Sequence, residues 1–363
     1  MKVCEKIDRR ELLAALNICG KVTPRRAPSE VLTFVRFDQG KIEATDGELT
    51  VTVPHPYDGN AMLLPFHKLS ELSRVAAGES LDVDCDGKTA VIKSNTGKWQ
   101  LPTADPAEWP VSQQSKRTPV ARIPADQLAR GLSAVIDAAD PSAGQVALGG
   151  VHLDVTDGLV SLVATDGRRL FKSEISIDQA VDNQQLLLTA RAATLIGVLA
   201  GQLGDEGNVQ LEKSGSDVFA EIGAGGAQVI ARQVAGVFPK WRKVIPSKGR
   251  ATPTTVRADK LNDAIRQAAI CTSEASKAIE LTLGKTIICQ ASSSESGAST
   301  VKLQPIEAGK SVTIRVNPQF CIEWLRRVDP SEPITVEAVD PASALVFRSE
   351  DSTGVVMPMD GGS

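Results

Sequence analysis

The chain has 363 residues, 42% of them hydrophobic and 23% charged, with a formal net charge of −4; this is an ordinary globular balance with room for two or three domains. No apolar run approaches the ~18 residues of a membrane span, and the opening MKVCEKIDRRELL lacks the apolar core of a secretion signal. The six cysteines (Cys4, Cys19, Cys85, Cys271, Cys289, Cys321) include no C-x-x-C pair, which predicts reduced, mostly buried thiols in a cytoplasmic protein.

The first element is an amphipathic helix opened by Ile7-Asp-Arg-Arg-Glu-Leu12 and continued by Leu16. The turn Ala44-Thr45-Asp46-Gly47 follows between β-rich runs, and then Leu63-Leu-Pro-Phe-His-Lys-Leu-Ser-Glu-Leu72 leads from a strand into a short helix. After the seam Ser115-Lys-Arg-Thr-Pro119 the series restarts. Ile123-Pro-Ala-Asp-Gln-Leu128 opens a helix whose apolar stripe is Leu128, Leu132 and Val135, the three- and four-residue spacing of one helix face. Segments 151–155, 159–164 and 170–175 alternate and are separated by Asp-Gly turns, which predicts hairpins. The second turn, Ala164-Thr165-Asp166-Gly167, repeats the first 120 positions later. Leu187-Leu-Thr-Ala-Arg-Ala-Ala-Thr-Leu195 is again strand into helix. Beyond the seam at 247–253, Val256-Arg-Ala-Asp-Lys-Leu261 starts a third helix with Ile265 and Ala268, and Ala291-Ser-Ser-Ser-Glu-Ser-Gly297 reads as a longer mobile loop. Ile314-Arg-Val-Asn-Pro-Gln-Phe-Cys-Ile322 repeats the strand-to-helix step, with Asn317 as N-cap and Pro318 in the first turn. Such periodicity predicts one α+β module present three times, near 1–117, 118–247 and 248–363.

The net charge conceals a split. Six helix-containing segments (7–26, 63–76, 123–139, 186–200, 256–272 and 312–327) hold 15 Lys/Arg against 8 Asp/Glu, so the remainder carries −11. Helices rich in base beside acidic sheets suit a surface that meets phosphates without sequence preference. Only 4% of residues are aromatic, and none of these helices interleaves aromatic with basic side chains, so duplex backbone fits better than stacked single strands.

Three segments resemble the bacterial β sliding clamp, the β subunit of DNA polymerase III: Val163-Ala-Thr-Asp-Gly-Arg-Arg-Leu170, Val237-Phe-Pro-Lys-Trp-Arg-Lys-Val-Ile-Pro246 and Val355-Val-Met-Pro-Met359. They stand in that family's order and approximate spacing, and the threefold pattern spans the chain. The resemblance implies an α+β DNA clamp fold, each module having two helices packed on antiparallel sheets. Two chains would meet head to tail, first module to third, in a ring with twelve helices inside and a sheet layer outside. It implies a non-catalytic processivity factor that encircles double-stranded DNA. Its partners would be the polymerase catalytic subunit, an ATP-driven clamp loader, and other polymerases and repair factors carrying a clamp-binding peptide. By position, the resemblance places the peptide pocket at Leu148, Thr165, Gly167, Arg168, Arg169, Leu170, Pro239, Lys243, Val244, Val355, Met357, Pro358 and Met359. Leu, Val, Pro and Met make an adaptable apolar groove, and Arg168, Arg169 and Lys243 would satisfy a peptide's polar groups. On the duplex side it gives Arg26, Lys68, Arg74 and Arg191, while Arg266 and Arg315 are added from helix position alone.

The chain also departs from the family. It ends Met359-Asp360-Gly-Gly-Ser363, where relatives commonly carry a basic and then an apolar residue, which predicts altered peptide preference. The segment Ser142-Ala-Gly-Gln-Val-Ala147 lacks the basic and aromatic residues often found there. Three rival readings stand beside the clamp. A specialised clamp or adaptor would ring DNA without serving the main polymerase. A phosphoryl-transfer enzyme could use Asp166, Arg168, Arg169 and Lys172, but it lacks a phosphate-binding glycine loop, and the histidines His55, His67 and His152 have no metal-ligand spacing. A site-specific DNA binder would need a recognition helix, whereas the basic residues here are dispersed.

Overall fold

The computed structural model describes residues 5–110, 116–178, 183–247, 249, 251–272 and 277–359. The altered tail from Asp360 lies outside them, as do Cys4 and parts of both predicted seams. Six α-helices occur among the described residues: α1 (Arg9–Cys19), α2 (Phe66–Val75), α3 (Ala125–Val135), α4 (Ala190–Gly201), α5 (Ala258–Ala269) and α6 (Pro318–Leu325). The chain divides into two compact units, one of residues up to Asp126 with Val198–Gln233, the other of Gln127–Gly197 with Val234 onward.

In the first unit, the Asp8 carboxylate accepts from the Arg10 and Glu11 amides at 2.8 and 3.0 Å and starts α1. The helix buries Leu12, Ala15, Leu16 and Cys19 on one stripe; each fully buried leucine contributes about 2 kcal/mol. Gly20 caps its C-terminal end, where a Cβ would lie 2.7 Å from the Phe66 ring of α2. Arg9 donates from Nε to the Gly78 carbonyl and from Nη1 to the Ser73 carbonyl, closing the C-terminal end of α2. An eight-stranded antiparallel sheet runs in the order Met62–Pro65, Phe34–Asp38, Lys41–Thr45, Leu49–Pro54, Ala227–Arg232, Asp217–Ile222, Asn208–Ser214, Thr118–Pro124. A four-stranded sheet runs Glu5–Asp8, Ser80–Cys85, Thr89–Lys93, Lys98–Pro102.

The second unit repeats this pattern. Its eight strands run Gln184–Thr189, Gly150–Thr156, Leu159–Thr165, Arg169–Ser176, Ser352–Val356, Leu345–Arg348, Pro333–Glu337, Thr254–Arg257. Its four run Gly297–Leu303, Ile287–Ser293, Ile279–Leu283, Val312–Val316. Asn317 caps α6 by accepting from the Gln319 amide at 3.0 Å, with Pro318 at the first helical position, as the sequence predicts. Trp324 of α6 is fully buried, stacks on Phe347 and donates to the Ser352 hydroxyl at 3.1 Å.

Three expectations change. The stretch 291–297 is an ordered hairpin, not a long loop: the Ser293 hydroxyl accepts from the Ser296 amide at 2.8 Å, and Gly297 takes φ +79° to begin the next strand. Arg315 is not helical; it lies on the strand Val312–Val316, opposite Glu280. The charge split also shrinks, since the six helices proper hold 8 Lys/Arg against 6 Asp/Glu. Most of the surplus base sits in residues flanking the helices, such as Lys21, Arg25 and Arg26 after α1 and Arg326 and Arg327 after α6.

The five described cysteines are free. Burial pushes the Cys19 and Cys289 thiols up to about 12, and Cys321 higher still. Cys85 and Cys271 are only half-buried. In the native protein an aromatic disulfide reagent at neutral pH is expected to leave Cys19, Cys289 and Cys321 unmodified while Cys85 and Cys271 react, as read by peptide mass mapping.

Two buried histidines set a pH limit. His55 has both ring nitrogens buried without a partner, against the edge of Phe37. Burial holds its pKa down, with Glu11 and Asp8 opposing; burial also lowers His152, with Asp154 opposing. Both folded-state values lie below the unfolded value of about 6.5, so folding favours the neutral rings. Their contribution is intact above about pH 6.5 and is lost as pH falls below it. The denaturation midpoint is expected to drop as pH falls below about 6.5, and His55→Phe to flatten that slope; an unchanged slope would contradict it.

Candidate functional site

The site begins as one face of the eight-stranded sheet in the second unit. Cross-strand pairing sets Thr165 opposite Leu170 and Leu170 opposite Val355, while His152 faces both Val163 and Leu187. Side chains alternate along a strand, so these residues share a face. Val163, Leu170, Leu187 and Val355 are buried there in one cluster with Ala147, Phe238 and Trp241. Leu170 and Val355 are each 1% exposed, so they form the floor of the site rather than its contact surface.

One rim is the repeated turn. The Asp166 carboxylate accepts from the Arg168 and Arg169 amides at 2.8 and 2.9 Å, and the Thr165 hydroxyl accepts from the Gly167 amide at 3.1 Å. Gly167 takes φ +87°. The first copy is built alike: Asp46 caps the Glu48 and Leu49 amides, and Gly47 takes φ +94°. Asp166 is thus spent on its own turn and on Arg169, whose Nε lies 3.1 Å from it. No three His, Cys, Asp or Glu side chains among the described residues come together as metal ligands.

Arg168 and Arg169 have different surroundings. The Arg168 side chain is exposed, and its carbonyl accepts from the Met357 amide at 2.8 Å, tying the C-terminal segment to the turn. Arg169 turns inward, where it ion-pairs with Glu323 of α6 and stacks over Phe320 at 4.3 Å. Its guanidinium pairs with Asp166 and Glu323 and so braces the rim from within. Burial lowers its pKa, opposed by Asp166.

The second rim is 237–246, where Phe238 and Trp241 point into the floor while Pro239 is half-buried and Lys243 and Val244 are exposed. A Cβ on Gly236 would meet Ala147 at 3.5 Å, which sets this segment beside 146–149 and the half-buried Leu148. Met357 is 43% exposed, followed by half-buried Pro358 and Met359, whose amide donates to the Arg315 carbonyl. Strand pairing, the buried cluster and the Arg168–Met357 bond bring together the predicted positions of the turn, the strands and the C-terminal segment, while Pro239, Lys243 and Val244 lie on the segment that Phe238 and Trp241 anchor in that cluster. Sequence reasoning missed Phe238, Trp241 and Phe320 as structural members. The aromatic pair in Phe238-Pro-Lys-Trp241 was a usable sign of burial; Phe320 had none.

The cationic positions fall into both units. In the first, the His67 ring lies 3.4 Å from the Pro24 carbonyl, so the loop bearing exposed Arg25 and Arg26 lies against the first turn of α2. Lys68 and Arg74 are exposed on α2, Lys68 in a loose pair with Glu71 at 3.6 Å. In the second unit Arg191 and Arg266 are exposed on α4 and α5. Arg315 is half-buried on its strand, with its carbonyl accepting from the Met359 amide at 2.8 Å.

Comparison with known proteins accords with this geometry. Residues 242–360 match the family described as DNA polymerase III beta subunit, C-terminal domain. The chain is 22% identical over 365 residues to the beta sliding clamp of Chlamydia pneumoniae, covering 97% of this chain and 98% of that one. It is 24% identical over 366 residues to that of Pseudomonas putida, with the same coverage. The solved DnaN sliding clamp (DNA polymerase III subunit beta) of Pseudomonas aeruginosa, bound to griselimycin, has a TM-score of 0.91 at 21% identity, covering 99% of this chain and 100% of that one. The DNA polymerase sliding clamp of Bacillus subtilis gives 0.90 at 17% identity, over the whole of both chains. The fold is theirs: α+β, with helices and antiparallel sheets.

Proposed function

We propose that this chain, a member of the bacterial β sliding clamp family, is a processivity factor for a replicative DNA polymerase. Two copies close head to tail around duplex DNA. The site above captures a short peptide from the polymerase catalytic subunit, the clamp loader, or other polymerases and repair factors. The chain is non-catalytic, consists of three modules at 1–117, 118–247 and 248–363, and works in the cytoplasm at the nucleoid.

The observation that carries this reading is a recurrent sheet join with one join missing. Leu49–Pro54 pairs with Ala227–Arg232, and Arg169–Ser176 pairs with Ser352–Val356. In each, the third strand of a meander meets the last strand of the next four-strand set. The equivalent strands left over are Gly297–Leu303 and Lys98–Pro102, each at the edge of its sheet. An open strand edge pairs readily with another chain, and joining these two between copies is a head-to-tail, first-to-third contact. Ile270, 76% exposed, lies beside the first of these edges, since the Ser299 hydroxyl donates to the Ala268 carbonyl at 2.8 Å. A partner's sheet end would cover it.

The peptide reading is supported by a buried apolar floor with exposed apolar rims. The experiment that tests it is fluorescence anisotropy with a Gln-Leu-x-Leu-Phe-type peptide beside a scrambled control. Specific binding in the micromolar range, on the order of 8 kcal/mol, is expected. Val244→Ala with Met357→Ala should weaken it at least about tenfold, because the peptide would bury both side chains. Their present exposure predicts an unchanged melting temperature. Equal binding of peptide and scrambled control would refute the partner site.

A further inference from the structure

The rim 237–246 has little regular structure of its own, a single 3-10 turn at Trp241–Lys243. Phe238 and Trp241 anchor it in the apolar floor and Arg348 Nη2 donates to the Pro246 carbonyl at its end, while two neighbouring polar side chains on the strand Gly150–Thr156 hold it from beneath. His152 and Asp154, two residues apart, project from the same face as the apolar floor. The His152 ring lies parallel to Phe238, with centroids 4.7 Å apart and planes at 6°. Asp154, 2% exposed, accepts from Arg242 Nη1 at 2.5 Å and from the Thr156 hydroxyl at 2.9 Å. The Arg242 guanidinium then lies 4.2 Å over the Trp241 ring. Phe238 and Trp241 are thereby both gripped, one by a ring stack and the other through the arginine, and Pro239, Lys243 and Val244 lie between or beside them.

A carboxylate this deep is costly unless paired. Burial raises the Asp154 pKa, but the hydrogen bonds from Arg242 and Thr156 outweigh it and hold the carboxyl below its ordinary range. An isolated sheet face would be served as well by an apolar residue. A charge here does something an apolar residue could not: it ties Arg242 of the segment 237–246 to the strand.

We propose that His152, Asp154 and Arg242 form a positioning clasp that presets segment 237–246 for peptide capture, a role that rests on the peptide-site reading above. Asp154 and His152 are too buried to touch a bound peptide, so they act through the loop. Preorganisation of this kind sets affinity by removing the cost of ordering the rim on binding.

The test uses the full chain and the same labelled Gln-Leu-x-Leu-Phe-type peptide, with wild type, Asp154→Asn, Arg242→Ala, the double variant and Arg242→Lys. Each of the first two substitutions is expected to weaken binding about tenfold, the pair together no more than either alone, and Arg242→Lys to retain part of the affinity. Hydrogen exchange without peptide should rise within 237–246 and stay unchanged in Gly150–Thr156, which general loosening of the sheet would not produce. If Asp154→Asn fails to fold, Arg242→Ala decides, since its side chain is 55% exposed. Wild-type binding with both single variants within twofold, or effects that multiply, would overturn the clasp. Absence of specific binding by wild type would instead overturn the peptide site, and the clasp with it.

Discussion

Arg169→Ala is expected to lower the stability of the folded chain by roughly 3 kcal/mol, seen as a lower denaturant midpoint at unchanged slope. The side chain is 11% exposed and joins three groups: Asp166 of its own turn, Glu323 of α6 and the Phe320 ring. Truncation leaves two carboxylates, 13% and 22% exposed, without their counter-ion. Such a loss exceeds the net worth of the ion pair, because the desolvation of the remaining charges is no longer offset. Arg169→Lys should recover only part of the loss, since a lysine can neither fork between two carboxylates nor stack flat on Phe320. The neighbouring Arg168→Ala provides the control. That side chain is exposed and its holding contact is through the backbone, so the unfolding free energy should change by no more than about 0.5 kcal/mol. A shift below about 1 kcal/mol for Arg169→Ala would mean that the guanidinium is replaceable by solvent.

The difference between these adjacent arginines shows what the sequence could and could not reveal. The turn itself was legible because its chemistry is local: an Asp that caps the next amides and a Gly at positive φ lie within four residues. The Asn317-Pro318 helix start and the stripe Leu12, Leu16 are legible for the same reason. Arg169 meets Glu323, 154 positions on, and Asp154 meets Arg242, 88 positions on; no periodicity encodes such pairs. The family resemblance placed the pocket residues in one region but did not separate floor from rim. That separation depends on strand pairing, which turns Leu170 and Val355 inward while Val244 and Met357 stay open. The misread hairpin at 291–297 has a related cause. A run of serines has the composition of a loop, but one hydroxyl bond and one glycine suffice to close it as a turn.

Charge reversal at Arg26, Lys68 and Arg74 together is expected to weaken duplex binding by at least about a hundredfold at low salt. If each makes one phosphate contact, the log–log salt slope should fall by about 0.9 per contact, or nearly 3 per chain. No single reversal should be decisive, because diffuse contacts to a uniform phosphate array substitute for one another. The placement of these residues matters more than the net charge. With 8 basic against 6 acidic side chains, the helices themselves are close to balanced, so a cationic face needs loop residues added to the helical Lys68 and Arg74. The loop after α1, placed by the Pro24–His67 contact, brings Arg25 and Arg26 to the α2 turn that carries Lys68. All three substituted side chains are exposed, so melting temperature and peptide affinity should be unchanged, which separates a lost duplex surface from a damaged fold. Fluorescence anisotropy on a short duplex across a salt series reads both affinity and slope. A triple variant that binds more weakly but keeps the wild-type slope would place the phosphate contacts elsewhere, with Arg191 and Arg266 the next positions to reverse.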